Sequence, residues 1–421
     1  MRREEVARHQ RTRLYGGMIE SVYEHGYPDT TVAQVIALAG VSRRAFYEQF
    51  ANKEECFLAT HDIVVARARK VAMDAWAREQ GWANRLHAAC KALFDDIAAS
   101  PKGPQLVLVD SLGVGPQART RMALAGCTFE RLVAIGFQAA PDKVELSQLT
   151  TRAIVGGIRH VAFTRVHSHR EQELYTLTDE VLDWVEAYRS PIAARLTVNG
   201  LSYPPAVAPT SAAFLAGADK RSRVLSSVIH LTLDTGYSEL TDPQIAQFAG
   251  VSTEAFHKHF ASKTDCFLAV LDEFADEALD AVRHAMEKAC SWPQAVRLAV
   301  ATLIERFVAN EALSRLAFID IFEVGPRIVG SMARSVEDFI SLLSATGPEA
   351  RRGPAVSSEA LTGAIWGIVS GYVANGRLRN LPCLVDQITF IVLAPYVGPK
   401  AAIEAIAAAR RSPDLDSLRL D

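Results

Sequence analysis

The chain contains itself twice. Residues Gly26 to Ala59 align without a gap on Gly236 to Ala269, at a constant offset of 210. Gly26, Tyr27, Thr31, Gln34, Ala39, Gly40, Val41, Ser42, Ala45, Phe46, Phe50, Ala51, Lys53, Cys56, Phe57, Leu58 and Ala59 all recur, 17 identities in 34 positions. The same offset carries Trp82 to Trp292, Asp110 to Asp320, Val114-Gly115-Pro116 to Val324-Gly325-Pro326 and Gly157-Ile158 to Gly367-Ile368. A period this long means one module of about 200 residues written twice. Between the copies, Asn199-Gly200-Leu201-Ser202-Tyr203-Pro204-Pro205 and the following Pro209 cannot continue a helix and read as an extended linker. The expected domains are 1–56, 57–197, a Pro-rich linker at 198–217, then 218–266 and 267–421.

Each copy opens with three short helical patterns. The first spans roughly Arg11 to Glu24, with Leu14, Met18 and Val22 on one face, and closes at His25-Gly26. Thr31-Val32-Ala33-Gln34 is a capping box, in which threonine and glutamine satisfy each other's free backbone donors. Thr241-Asp242-Pro243-Gln244 repeats it, with a proline in the first turn where its missing N–H costs nothing. The helix that follows is expected to bury Val35 and Leu38 (Ile245 and Phe248 in the second copy) and to stop at Gly40. Gly40-Val41-Ser42 turns into a third helix capped by Ser42. That helix sets Ala45, Phe46 and Phe50 inward and leaves Arg43, Arg44, Tyr47 and Glu48 outside. Asn52-x-x-Glu55 and Ser262-x-x-Asp265 start a fourth helix whose Cys56-Phe57-Leu58 packs inward. Two short helices joined by a Gly-containing turn make a helix-turn-helix, whose second helix can lie in the major groove.

The stretches TVAQVIALAGVSRRAFYEQFANK (Thr31 to Lys53) and TDPQIAQFAGVSTEAFHKHFASK (Thr241 to Lys263) resemble the signature of the tetracycline-repressor (TetR) family of bacterial regulators. The resemblance implies an all-α chain of two tandem modules, each a three-helix head on a larger helical body. It implies a double-stranded DNA operator and a small-molecule effector as partners. Thr31 and Thr241 would bond a phosphate through hydroxyl and backbone N–H, and Tyr47, Lys53 and Lys263 match phosphate-contacting positions. Arg43 and Arg44 would reach base edges, where arginine reads guanine in bidentate fashion; Ser42 and Ser252 open the two recognition helices. In the second copy Thr253 and Glu254 replace the arginines, His257 replaces Tyr47 and Lys258 replaces Glu48. Two readings of that head stay open: it reads a different half-site, or it is a worn copy kept for its packing.

A net charge of −3 means that any DNA contact comes from a local patch and not from the molecule's overall charge. Residues 1 to 53 carry eight Arg/Lys against six Asp/Glu, five of those arginines within the first thirteen residues. Such an arm enters a minor groove, strengthens phosphate attraction or is a solvated tail.

The bodies read as long helices at about Glu54 to Arg78, Ala83 to Ala99, Gln117 to Ala139, Leu146 to Arg165 and Gln172 to Tyr188. In the resembling family this region encloses an effector pocket and forms a four-helix dimer interface. Here one chain could supply both partners as an intrachain pseudo-dimer, with Gly156-Gly157, Gly363, Gly367 and Gly371 permitting close helix contact; a homodimer of two chains stays open. Trp366, Tyr372 and Phe163 line an effector cavity or belong to the core, and Asp110 and Asp320 face that cavity or cap a helix. His160, His167 and His169 read as solvated side chains in preference to a metal site. Cys56 and Cys266 read as small core residues, with redox sensing as the alternative.

The longest apolar run, around Gly363 to Ala374, falls short of the ~20 residues of a membrane helix. The charged N-terminus leads into no signal core, and six cysteines without a Cys-x-x-Cys pair argue against a zinc site. The expectation is a cytoplasmic protein with no membrane partner, no metal and no cofactor. No Gly-rich phosphate loop, His-Glu metal motif or nucleophile elbow points to an enzyme. The function expected is a ligand-responsive regulator, a repressor, on an asymmetric or pseudo-palindromic operator. The alternative is a helical interaction scaffold with degenerate heads.

Overall fold

The repeat seen in the sequence is a repeat of helices. The structure is a computed structural model that describes residues 3–140, 146–189, 215, 219–324, 335–343 and 356–410. The first copy runs α1 (Arg3–Asp29), α2 (Val32–Ala39), α3 (Arg43–Tyr47), α4 (Lys53–Arg78), α5 (Trp82–Ala99), α6 (Lys102–Leu108), α7 (Pro116–Gln138), α8 (Gln148–His167) and α9 (Thr178–Glu186). The second runs α10 (Lys220–Thr235), α11 (Asp242–Phe248), α12 (Thr253–His257), α13 (Lys263–Glu287), α14 (Trp292–Ala309), α15 (Glu311–Phe318), α16 (Ser357–Ala374), α17 (Val385–Val397) and α18 (Pro399–Arg410). Short 3-10 turns cover Asp110–Gly113, Glu171–Thr176, Asp320–Glu323 and Leu378–Leu384, and no strand occurs among the described residues. The proposed linker at 198–217, apart from Leu215, and Gly325-Pro326 lie outside the described residues.

Several boundaries differ from the sequence reading. Helix α1 begins at Arg3 and not near Arg11, so Arg3, Arg8, Arg11 and Arg13 ride on helical turns. Arg11 lies over the Phe50 ring at 5.0 Å and bonds the Tyr15 hydroxyl at 2.6 Å. Gly26, at φ 75°, breaks the helix where expected. Residues Lys102–Leu108 form a helix that Gly103 and Pro104 hide from a periodicity reading, and Gln172 to Tyr188 splits into a 3-10 turn and α9. Among the described residues the segment long enough and of high enough mean hydropathy to span a membrane is Leu378–Val397, not Gly363 to Ala374. By length and composition alone it could cross a membrane, yet 67% of it is buried. Its Asp386 accepts a bond from Arg297 Nε at 2.9 Å, with both side chains almost wholly covered. A paired carboxylate in a mostly buried segment is what a core helix shows.

The chain forms two compact units. The first is Met1–Lys143 with Gly157–Leu182; the second is Val144–Gly156 with Asp183–Asp421. In the first, the head's core of Leu14, Met18, Val22, Val35, Phe46, Phe50 and Phe57 also takes in Leu106 and Ala118 from the body. Head and body therefore share one apolar core. Asp110 sits beside the same seam, 4% exposed, against the backbone of Tyr27 and the side chain of Gln105. Burial raises its pKa to about 7, partly offset by those hydrogen bonds. Asp320 is also buried and meets Arg315 Nε at 3.3 Å.

In the second unit the start of α8 lies against α16. A Cβ built on Gly156 would fall 2.7 Å from the Gly363 carbonyl oxygen, and one on Gly367 would lie 3.7 Å from Gly156 Cα. The Tyr188 hydroxyl donates to the Ile391 carbonyl at 3.0 Å, fully buried. The expected glycine-lined helix contact is thus present within this unit.

Two outcomes follow from this packing. Gly156→Ala should destabilise the chain by about 1–3 kcal/mol, because backbone on the facing helix cannot move aside. Gly126→Ala in α7, with nothing within 4 Å of its Cβ, should instead gain up to about 1 kcal/mol; denaturant melts of both variants check the pair. The Asp110 carboxyl is easier to protonate folded than unfolded, so its contribution is fully present below about pH 4 and is lost as pH rises to about 7. Asp110→Asn should therefore raise the melting temperature at pH 8 far more than at pH 4.

Candidate nucleic-acid interface

Each head is assembled from local hydrogen bonds. The Thr31 hydroxyl accepts from Gln34 N at 3.3 Å, while Thr31 N and Oγ1 both donate to Gln34 Oε1 at 2.7 Å. The second head copies this: Gln244 N to Thr241 Oγ1 at 3.4 Å, and Thr241 N and Oγ1 to Gln244 Oε1 at 2.9 and 2.7 Å. Both capping boxes are formed, and both threonines are exposed. A phosphate at either threonine would have to take those two donors from the glutamine.

Helix α2 closes on Gly40 at φ 57°, with Val41 N bonded to Ile36 O at 3.1 Å; Gly250 and Val251 repeat the turn at φ 65° and 3.0 Å. The left-handed region is open to glycine at no steric cost. Ser42 then caps α3 by accepting from Ala45 N at 3.2 Å, as Ser252 does from Ala255 N at 3.1 Å. Ala45, Phe46 and Phe50 face inward, and Arg43, Arg44, Tyr47 and Glu48 stand exposed. Arg43 lies over the Tyr47 ring at 5.8 Å. Arg44 pairs with Glu48 at 2.9 Å although its side chain is 89% exposed, so this surface pair contributes little and is free to exchange for a ligand.

On α12, Thr253, Glu254, His257 and Lys258 are likewise exposed. Glu254 and Lys258 pair at 3.1 Å, occupying the positions of Arg44 and Glu48 with the charges reversed. His257 Nε2 is 3.9 Å from Asp242. The second head therefore keeps the geometry of the first and offers a different set of groups.

One expectation needs correction. Leu38 and Phe248 are not buried: they are 49% and 59% exposed, and Ala39 and Ala246 turn inward on the same helices as Val35 and Ile245. Lys53 and Lys263, which match phosphate-contacting positions, bond within the heads. The Lys53 ammonium donates to the carbonyls of Tyr27, Pro28 and Thr30 at 3.0, 3.1 and 2.8 Å, and lies 4.4 Å from the Tyr27 ring centre. Lys263 does the same with Tyr237, Ser238 and Leu240 at 3.1, 3.3 and 2.7 Å. An ammonium has three donors, and all three are used. Burial accordingly lowers the Lys53 pKa, against the opposing pull of Asp29.

Other candidates fall outside the reading face. His167 and His169 are exposed, as expected, but His160 is not solvated: burial, helped by Arg159 and Arg165, lowers its pKa to about 4. Cys56 and Cys266 are fully buried, and burial pushes each thiol up to about 12, where it is not nucleophilic. Trp366 lines a cavity in the second unit, whereas Phe163 is core.

Lys53→Met should lower stability by about 1–3 kcal/mol through the carbonyls it strands. The salt dependence of DNA binding should keep its slope, whereas loss of a phosphate contact would reduce it by about 1. Titrations at several salt concentrations separate the two roles.

The model of the bacterial regulatory proteins of the tetR family matches residues 19–60 and again residues 229–270. The HTH-type transcriptional activator FasR of Mycolicibacterium smegmatis is 27% identical over 119 residues, 28% of this chain and 54% of its own length. The chain thus spans about half of that relative. Among solved structures, the fatty acid degradation regulator FadR of Bacillus halodurans overlaps 42% of this chain and 96% of its own, at 16% identity and a TM-score of 0.38. FadR of Bacillus subtilis, in complex with stearoyl-CoA, overlaps 42% of this chain and 99% of its own, with the same identity and TM-score. Overlaps of that quality leave the assignment to the heads, where the family model and the geometry coincide twice. Both heads therefore match the tetR-family model, once in each repeat.

Proposed function

We propose that this chain is a ligand-responsive transcriptional regulator that carries both DNA-binding heads of a dimer in one polypeptide. The observation that carries the reading is the twin helix-turn-helix, each with an intact capping box and an exposed, polar recognition face. The first head reads bases through Arg43 and Arg44, with Tyr47 and Thr31 on the phosphates. The second reads a different half-site through Thr253, Glu254, His257 and Lys258, so the operator is asymmetric. A dimer of such heads needs a spacing of about 34–36 Å, which two modules in one chain would supply as an internal pseudo-dimer. In the body of the second repeat a cavity with about 80 Å³ of free volume is walled by Phe274, Phe307, Phe318, Phe339 and Trp366. A cavity so lined suits an apolar ligand. Ligand binding would shift the population between head spacings, only one of which fits successive grooves. The chain acts as a repressor, holding promoter DNA until the ligand arrives, and is not an enzyme.

Selection of bound sequences from a random DNA pool tests this directly. Two unlike half-sites about one helical turn apart are expected, and Arg43→Ala with Arg44→Ala should weaken retention at least tenfold and relax the first half-site. No retention above non-specific binding at low salt would sink the reading in favour of a scaffold. One half-site only, unaffected by Thr253→Ala and Lys258→Ala, would make the second head vestigial.

A further inference from the structure

The two repeats place different chemistry at matching positions of α4 and α13. In the first repeat, α4 and α7 border an open groove of about 550 Å³, lined by His61, Asp62, Arg69, Thr120, Arg121 and Thr128 among others. At the offset of 210, the second repeat has Leu271 for His61 and Leu279 for Arg69, and both leucines line its largely apolar cavity. Asp62 and Asp272 are retained in the two linings.

His61 is the unusual member. Only 1% of it is exposed, its Nδ1 faces Asp62 Oδ1 at 3.4 Å, and its Nε2 has no hydrogen-bond partner. Burial, with the Arg121 charge added, lowers its pKa to about 4, so the ring is neutral at pH 7. With the proton on Nδ1 toward the carboxylate, Nε2 presents a lone pair. A buried acceptor left unmade is costly, and native structures rarely leave one without a use. Arg121 is held by ion pairing with Asp62. Arg69, two turns along α4 from His61, adds an exposed cation to the rim.

We propose that this groove binds a small polar acid, which offers a hydroxyl or N–H donor to His61 Nε2 and an anionic group to Arg69. The two repeats then sense ligands of different class, a polar acid in the first and an apolar molecule in the second. The assignment rests on the regulator reading for its purpose, but the binding itself can be measured apart from DNA.

The test is calorimetric titration of the full chain with 4-hydroxybenzoate and 3-(4-hydroxyphenyl)propionate, beside benzoate and 3-phenylpropionate, which lack the hydroxyl. Saturable binding of a hydroxylated acid is expected, at least tenfold weaker for its deoxy counterpart. His61→Leu, which installs the residue the second repeat already carries, and the surface change Arg69→Leu should each weaken it at least tenfold. Both variants should melt within a few degrees of the parent. Absence of saturable binding by either hydroxylated acid, or affinity unchanged in both variants, overturns the proposal. Acid binding that depends on His61 in a chain that retains no DNA would support this site while overturning the regulator reading.

Discussion

A single ammonium group closes each head. The end of α1 and the residue after it present carbonyls toward α4, and Lys53 collects three of them from the first turn of α4. Tyr27 stacks under the same ammonium and meets Phe57 edge-on at 4.9 Å, so the lysine also fastens α4 to the base of α1. Lys263, Tyr237 and Phe267 rebuild the arrangement with a ring separation of 5.0 Å. Hydrogen bonds from a charged donor contribute about 1.5–3 kcal/mol, enough to set how α2 and α3 stand on the body. Everything the recognition helix presents depends on this fastening. It explains why lysine, tyrosine and phenylalanine survive in both copies while the reading face does not.

What differs between the copies is confined to groups that nothing inside constrains. Arg44 and Glu48 become Glu254 and Lys258, an exchange of charge across one helical turn that keeps the ion pair and reverses its field. An exposed i,i+4 pair contributes only a few tenths of a kcal/mol, slightly more with glutamate first, so folding exerts little preference. The face is therefore left to be set by whatever it touches. Glutamate at the N-terminal end of a recognition helix disfavours guanine and phosphate but accepts from cytosine, which fits a second half-site better than simple decay.

Legibility followed the range of the interactions. The capping boxes, the Gly40 turn, the Ser42 cap and the inward Phe46 and Phe50 are decided within four residues, and the sequence displays them openly. The resemblance places Lys53 beside a phosphate, whereas the carbonyls it bonds lie 23 to 26 positions away, beyond any local pattern. Leu38 and Phe248 have the spacing of buried residues, yet a helix of seven or eight residues has room for only one turn against α1 and α10, and Val35 and Ile245 take it. The early start of α1 had no capping signal ahead of it. His61 carries no local signal in the sequence; the contrast with Leu271 across the repeat is the clue it offers.

The duplication itself supplies a control that single sequences lack. When two copies share a scaffold, a position that is polar in one and apolar in the other has been released from the common fold. His61 against Leu271 and Arg69 against Leu279 change together on one helix, and each of these positions lines a pocket in its own repeat. Random drift on a surface would not leave one copy with a buried histidine lacking a partner, since that state costs stability and a leucine of similar size is evidently accommodated in the other. The persistence of His61 is thus better explained by a group it meets than by the packing it joins, and the asymmetry of the bodies parallels that of the heads.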